Sequence, residues 1–191
     1  YTMALEHRIS ELDTYLFAKG RHYEIYEKMG AHLAEEDGKA GTYFSVWAPN
    51  ARSVSVVGDF NNWDRTAHPM QPVQQSGIWD IFVPGVKAGD LYKFAVETSQ
   101  GYTVLKADPY GNQSQLRPDN ASVVADIRYF DWTDQAWRKA HQEKKTESPM
   151  AIYEVHPGSW KKDPSMPGEF YNFKKLAVEL ADYVLEMGYT H

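Results

Sequence analysis

Residues 58–64, Gly-Asp-Phe-Asn-Asn-Trp-Asp, set a large aromatic just beyond two turn-forming asparagines. An indole presented on a short polar loop at a sheet edge is a platform for a flat, apolar-faced ligand. Trp63 is therefore the first candidate contact, and its chemistry is binding rather than bond cleavage. Glu154 invites a catalytic reading because it alternates with Ile152 and His156 along a short apolar run. A buried carboxylate more commonly has a structural partner, and His156 reads by default as a hydrogen-bonded structural histidine. The seven histidines (7, 22, 32, 68, 141, 156, 191) form no i, i+4 pair and stand near no carboxylate cluster, so no metal site is expected. No glycine-rich loop that could cradle a phosphate occurs, and with no cysteine there is neither a disulfide frame nor a thiolate zinc site. No cofactor is expected.

The elements that must position Trp63 are strands. Residues 42–47 and 53–57 alternate polar and apolar side chains with a period of two, the pattern of half-buried strands. Residues 48–51 join them as a turn, with Pro49 fixing its own φ and Asn50 tolerating the left-handed region. Further strands are predicted over 78–83, 91–97 and 102–106, closed by Pro84-Gly85 and by Asp108-Pro109-Tyr110-Gly111. In 91–97, Tyr92, Phe94 and Val96 face one way and Lys93, Ala95 and Glu97 the other. Strands at this spacing suggest an immunoglobulin-like β-sandwich over residues 41–126, with Trp47 and Trp79 in or near its core.

Residues 1–40 precede the sandwich as a helical segment. A helix is predicted over 2–19, with Leu5, Ile9, Leu12 and Leu16 as its apolar stripe and Gly20 as its stop. The polar stretch 33–40 reads as a domain boundary. Residues 127–148 form a connector with a short charged helix from Thr133 through Lys145. Residues 149–191 then change character, with a strand over 151–155 and a helix over 173–187. The helix stripe is Phe173, Leu176, Ala177, Leu180, Val184 and Met187, and Gly188 is its stop. Strand then helix is half a βαβ unit, and a second parallel strand should start at 189–191. Six stripe residues would contribute roughly 9–18 kcal/mol if buried, which one strand cannot arrange. The expectation is the first strand and helix of a truncated (β/α)₈ barrel. Trp160, beyond the end of that strand, is expected to pack its loop.

The totals are those of an ordinary globular chain of 191 residues, 42% hydrophobic and 24% charged. A net charge of −6 argues against a nucleic-acid partner, while 13 Tyr and 6 Trp lean toward a neutral ligand with apolar faces. No apolar run reaches membrane-span length and no secretory pattern opens the chain, so the cytoplasm is the default compartment.

Several motifs carry a family resemblance. Residues 41–111 resemble a family-48 carbohydrate-binding module, with FSVWAPNA, VSVVGDFNNWD, LYKFAVE and ADPYG in order. The whole chain, with Met29-Gly30-Ala31-His32, IYEVHPGSW at 152–160 and GYTH at 188–191, resembles the N-terminal region of the bacterial glycogen branching enzymes of glycoside hydrolase family 13. The resemblance implies an enzyme that cleaves α-1,4-glucan and rejoins the chain through an α-1,6 bond, with a retained covalent intermediate. It places the catalytic carboxylates on later barrel strands, so no residue here is expected to be catalytic, Glu154 included. It implies α-glucan as the ligand, with the remaining barrel as the other partner. The contacts implied are Trp63 stacking on a glucose ring, Lys93 bonding sugar hydroxyls, and Tyr102 as a second stacking ring. A stand-alone glucan-binding module and a debranching relative are the rival readings.

Overall fold

Strand β2 (Lys39–Trp47) is buried on both faces from Gly41 to Val46, and its domain is built around that fact. The computed structural model describes residues 8–128, 131–142 and 148–191, in two compact units divided between Phe130 and Asp131. On one face of β2, Phe44 and Val46 enter a core with Val54, Val56, Tyr92 and Phe94. On the other face, the Arg8 N–H donates to the Tyr43 hydroxyl at 3.2 Å, and Ser45 Oγ donates to the Lys28 carbonyl at 2.7 Å. Ile9, Ile25 and Met29 seal that face against Val73 and Ile78. The polar residues of 42–47 are therefore not solvent-facing. Thr42, whose Oγ1 donates to the Val86 carbonyl at 3.0 Å, is fully buried, as hydrogen bonding allows.

The first sheet adds β1 (Gly30–Glu36), β4 (Gln71–Val73) and β5 (Ile78–Pro84) in the order β1-β2-β5-β4. The second holds β3 (Ser53–Gly58), β6 (Leu91–Glu97), β7 (Thr103–Lys106), β8 (Gln113–Ser114) and β9 (Ser122–Val123). Its order is β3-β6-β9-β8, with β7 also on β6, and the pairings in both sheets are antiparallel. Two expectations change here. The polar stretch 33–40 is not a boundary but a hairpin, turning at Asp37-Gly38 with both residues at positive φ, so the sheet begins at Gly30 rather than Gly41. The turn 48–51 does not pair the strands it joins: it carries the chain from one sheet to the other, where β3 pairs with β6.

The leading helix α1 is shorter than predicted, Glu11–Ala18, and residues 2–7 with Leu5 lie outside the described residues. It starts on a capping box between Ser10 and Asp13 and stops at Gly20, where φ is +63°. Its buried face is polar: Asp13 and Thr14 point inward while Leu12 is exposed. Ion pairing explains this, since Asp13 accepts from His22 Nε2 at 2.8 Å and from Lys28 Nζ at 2.5 Å. Trp47 is a further correction. It lies 52% exposed at the end of β2, past the core, with the Phe17 ring edge-on at 5.9 Å. Trp79 is half-buried and donates its indole N–H to the Ala48 carbonyl at 3.1 Å.

In the second unit, α2 (Gln135–Gln142) starts two residues after Thr133, and the predicted helix beyond it runs into residues 143–147, outside the described ones. Helix α3 (Phe173–Glu186) stops at Gly188, as predicted, and its start is capped by Asn172. Residues 151–155, expected to be a strand, form no regular strand. The Tyr153 N–H donates to the His191 carbonyl at 2.8 Å and the His191 N–H to the Ala151 carbonyl at 3.1 Å, the hydrogen-bond pattern of a parallel pair. Along the α3 stripe Leu176 is buried, whereas Phe173 is 76% exposed and Ala177 and Met187 are also exposed. Over residues 156–172 the chain is tied to the helix by ions. Lys175 donates to Asp163 at 2.6 Å, and with Ser165 it pulls that carboxyl down to about 2.

Candidate functional site

At the end of β3 the backbone makes one 3₁₀ turn, Asp59–Asn61, then places Asn62 and Trp63 in the left-handed region at φ 53° and 60°. Asn tolerates that region, but for a bulky residue it is a strained conformation that its surroundings must impose. Three sets of bonds impose it. The Trp63 N–H donates to the Gly58 carbonyl at 3.0 Å. Asn61 Oδ1 accepts from the Gly58 N–H at 2.9 Å, and Asn61 Nδ2 donates to the Val56 carbonyl at 3.0 Å and to His68 Nδ1 at 2.9 Å. The Trp63 indole N–H donates to Asp59 Oδ1 at 3.1 Å, and Asp59 Oδ2 accepts from the Leu91 N–H at 3.4 Å. Gly58 is required by space: a Cβ there would stand 2.1 Å from the Leu91 carbonyl oxygen.

Under this loop, Phe60 stacks on Phe44 at 5.9 Å and meets the His68 ring at 5.7 Å. Burial pushes the His68 imidazole below its usual pKa, with Asp64 opposing, so Nδ1 is free to accept from Asn61. The loop is thus held from beneath and from the side. Trp63 itself is partly buried, and its one polar atom is already bonded, so a ligand would meet the ring face.

Lys93 lies opposite Val57, one residue from the Gly58–Tyr92 pair, and so at the same end of the β3–β6 ladder as Trp63. It is partly buried, and its ammonium donates to Asn120 Oδ1 at 2.5 Å. Asn120 is a residue the sequence did not single out. It lies in the β8–β9 hairpin, where Gln115 Oε1 accepts from the Ala121 N–H at 3.2 Å and the neighbouring Leu116 is 88% exposed. Tyr102 stands elsewhere. It ends the β6–β7 turn, where its carbonyl accepts from the Thr98 N–H at 2.9 Å, at the Glu97 end of β6. The strand between has seven residues, about 20 Å of rise, so Tyr102 and Trp63 do not converge.

Glu154 and His156 are both exposed, and His156 Nδ1 pairs with Ser159 Oγ at 2.8 Å. Trp160 packs its loop as expected, donating to the Tyr153 hydroxyl at 2.9 Å beside the Tyr183 ring. Among the described residues no group of three or more His, Cys, Asp or Glu could hold a metal. No helix among them is long and apolar enough to cross a membrane.

Residues 28–111 match carbohydrate-binding module 48, the isoamylase N-terminal domain. The chain is 52% identical over 182 residues to the 1,4-alpha-glucan branching enzyme GlgB of Protochlamydia amoebophila (strain UWE25), covering 95% of this chain and 25% of that protein. To the GlgB of Marinobacter nauticus (strain ATCC 700491 / DSM 11845 / VT8) it is 49% identical over 184 residues, covering 96% of this chain and 29% of the relative. It therefore spans between 25% and 29% of the length of these relatives. Its fold is similar, with a TM-score of 0.60 at 24% identity, to the catalytic module of the multi-modular glycogen-degrading pneumococcal virulence factor SpuA, covering 86% of this chain and 26% of that one. Residues 28–111 are thus similar to carbohydrate-binding module 48, and 95% of the chain is similar to part of the 1,4-alpha-glucan branching enzyme GlgB.

Proposed function

We propose that this chain is the glucan-holding part of a branching enzyme that cleaves α-1,4-glucan chains and transfers them into α-1,6 branches. The first unit is read as an immunoglobulin-like sandwich that binds α-glucan through Trp63, Lys93 and Asn120. The second is read as the opening strand and helix of a (β/α)₈ barrel, whose other strands carry the nucleophile and the acid/base of a retaining transfer. No residue of this chain is assigned a catalytic role, and the cytoplasm is the compartment the reading assigns.

The observation that carries the binding reading is Trp63 itself. A bulky residue is kept at a left-handed φ by bonds on its backbone and its indole, which leaves only its ring plane for a ligand. A pyranose ring presents an apolar C–H face to such a plane, and many contacts of about 0.1–0.2 kcal/mol accumulate. Lys93 and Asn120 supply a donor and an acceptor for hydroxyls at the same end of the ladder. Holding a long glucan here raises its effective concentration at the barrel. The parallel pairing of Tyr153 with His191 and the exposed apolar residues of α3 favour the enzyme reading over a stand-alone module. The test is native electrophoresis through glycogen. Trp63→Ala should lose retardation while keeping its circular dichroism, and unchanged retardation would reject Trp63 as the contact.

A further inference from the structure

A small cleft at the edge strand β1 sets two arginines against one carboxylate, in a chain whose net charge is −6. Residues 125–128, which follow β9 out of the second sheet, line it together with Ala31, His32 and Leu33 of β1. Its polar walls are Arg8, His32, Asn112, Asp126 and Arg128, and it encloses about 90 Å³. Arg8 is brought there by Tyr43, which stands directly opposite His32 in the β1–β2 ladder. The Arg8 N–H bonds the Tyr43 hydroxyl, its guanidinium lies 5.6 Å from the centre of the Tyr43 ring, and Nη2 donates to the Glu27 carbonyl at 3.4 Å.

The charges in the cleft do not cancel. Arg128 donates Nε to Asp126 Oδ1 at 3.0 Å and Nη2 to Oδ2 at 2.9 Å, a fork that balances Asp126 and holds its carboxyl below the usual range. Arg8 is paired with no carboxylate among the described residues. Burial, joined by the Arg8 charge, pushes the His32 imidazole below its usual pKa, although the Met29 carbonyl and the Asp108 carboxyl oppose it. The His32 Nε2–H donates to that carbonyl at 2.9 Å, which fixes the ring as a wall of the cleft. Asp108 is committed elsewhere, accepting from the Tyr92 hydroxyl at 2.6 Å and the Tyr110 N–H at 2.8 Å. Asn112 is exposed, and its side-chain amide has no hydrogen-bond partner among the described residues.

We infer that this cleft binds a phosphate group, with Arg8, Arg128 and the Asn112 amide as its donors. No residue of the cleft belongs to the Trp63 site, so the two stand or fall separately. The space is several times the roughly 10–15 Å³ that one water needs, and a five-atom oxyanion is the size of solute it admits. Planar guanidinium forks match the oxygens of a phosphate, and an amide adds a further donor. A groove of about 370 Å³ adjoins the cleft through Leu33 and Arg128, with Ala34, Ala40, Val86 and Lys87 along it. A phosphate ester therefore has room for its body outside the cleft, so free phosphate and a hexose phosphate share the same anchoring chemistry.

Inorganic phosphate titrated into the chain at constant ionic strength, followed by amide resonances, should saturate at one site per chain. The resonances of residues 31–33, 112 and 125–128 should move. Asn112→Asp is the cleanest variant, because its side chain has no bond to lose and the new carboxylate should weaken binding about tenfold or more. Arg8→Gln and Arg128→Gln should act in the same direction, with urea midpoints taken without phosphate confirming each fold. Arg52→Gln removes the same charge beside Gly101, in the β6–β7 turn, and should bind as the unaltered chain does. Glucose 6-phosphate distinguishes the two sources: tighter binding than phosphate assigns the cleft to a phosphorylated sugar, and weaker binding assigns it to the free ion. A response that never saturates, or saturation unchanged in Asn112→Asp, would overturn the inference. Equal weakening in Arg52→Gln and the cleft variants would reduce it to general charge screening and overturn it as well.

Discussion

Trp63 donates its indole N–H to Asp59, four residues back, and Asp59 uses its other oxygen to accept from the Leu91 backbone. One carboxylate therefore couples the partly buried ring to the first residue of β6, the strand that also carries Lys93. Asp59→Ala should cost about 1–3 kcal/mol of stability from two lost bonds to a charged acceptor. It should also weaken glycogen retention, because the ring is no longer held. Urea unfolding and affinity electrophoresis on one preparation check both, and full retention in Asp59→Ala would show that ring orientation does not matter.

Lys93 and Asn120 act as a pair. Lys93→Ala and Asn120→Ala should each weaken glycogen retention by less than Trp63→Ala, and the double variant should lose little more than either single one. Fully additive losses would mean that the two residues do not share a ligand.

The Asn61–His68 bond makes the loop sensitive to acid. Burial lowers the His68 pKa in the fold, so protonation favours the unfolded loop. The loop's stability is complete above the ordinary histidine pKa of about 6.5 and falls as pH drops below it. Corrected for the intrinsic slowing of exchange in acid, the protection factors of the Gly58 and Trp63 amides should fall between about pH 6.5 and 5, and His68→Gln should flatten that change. A profile unaltered by His68→Gln would remove His68 from the account.

Asp13 anchors the leading helix. Burial raises its carboxyl, but the bonds from Lys28, Ser10 and His22 outweigh it and hold the group well below the usual range. A depressed carboxyl contributes stability above its unfolded pKa of about 3.9 that is lost as pH falls further. Asp13→Ala should cost about 3 kcal/mol near neutral pH, toward the low end for breaking a buried pair because Lys28 keeps access to solvent. That loss should shrink below about pH 4. Urea titrations of both proteins across this range measure it.

Much of this architecture was legible because burial there follows one face. Strand 91–97 was bounded by its alternation, and helix α3 by its apolar repeat and Gly188. The misreadings share a cause. Ser45 looks like the outward position of a half-buried strand, yet a second layer from residues 8–29 covers that face through hydrogen bonds, while Thr42 on the other face is buried by its bond to the Val86 carbonyl. Leu12 looks like core, yet α1 docks through Asp13, because an ion pair can direct a helix face that hydrophobicity alone would turn outward. Trp47 sits one residue past the core, where alternation stops being informative. The hairpin signal Asp37-Gly38 was masked by Glu35 and Glu36, polar because β1 is an edge strand, and by Lys39, which opens β2. Asn120 lies 27 residues from Lys93 in a loop, and no spacing rule links them.

The central claim is that the ring face of Trp63 carries glucan affinity. Calorimetric titration of Trp63→Phe and Trp63→Ala with maltoheptaose, alongside the unaltered chain, tests it most directly. The account predicts reduced affinity at one site for Phe, loss of that site for Ala, and matching urea midpoints in all three. Equal affinity and stoichiometry in all three proteins would contradict it.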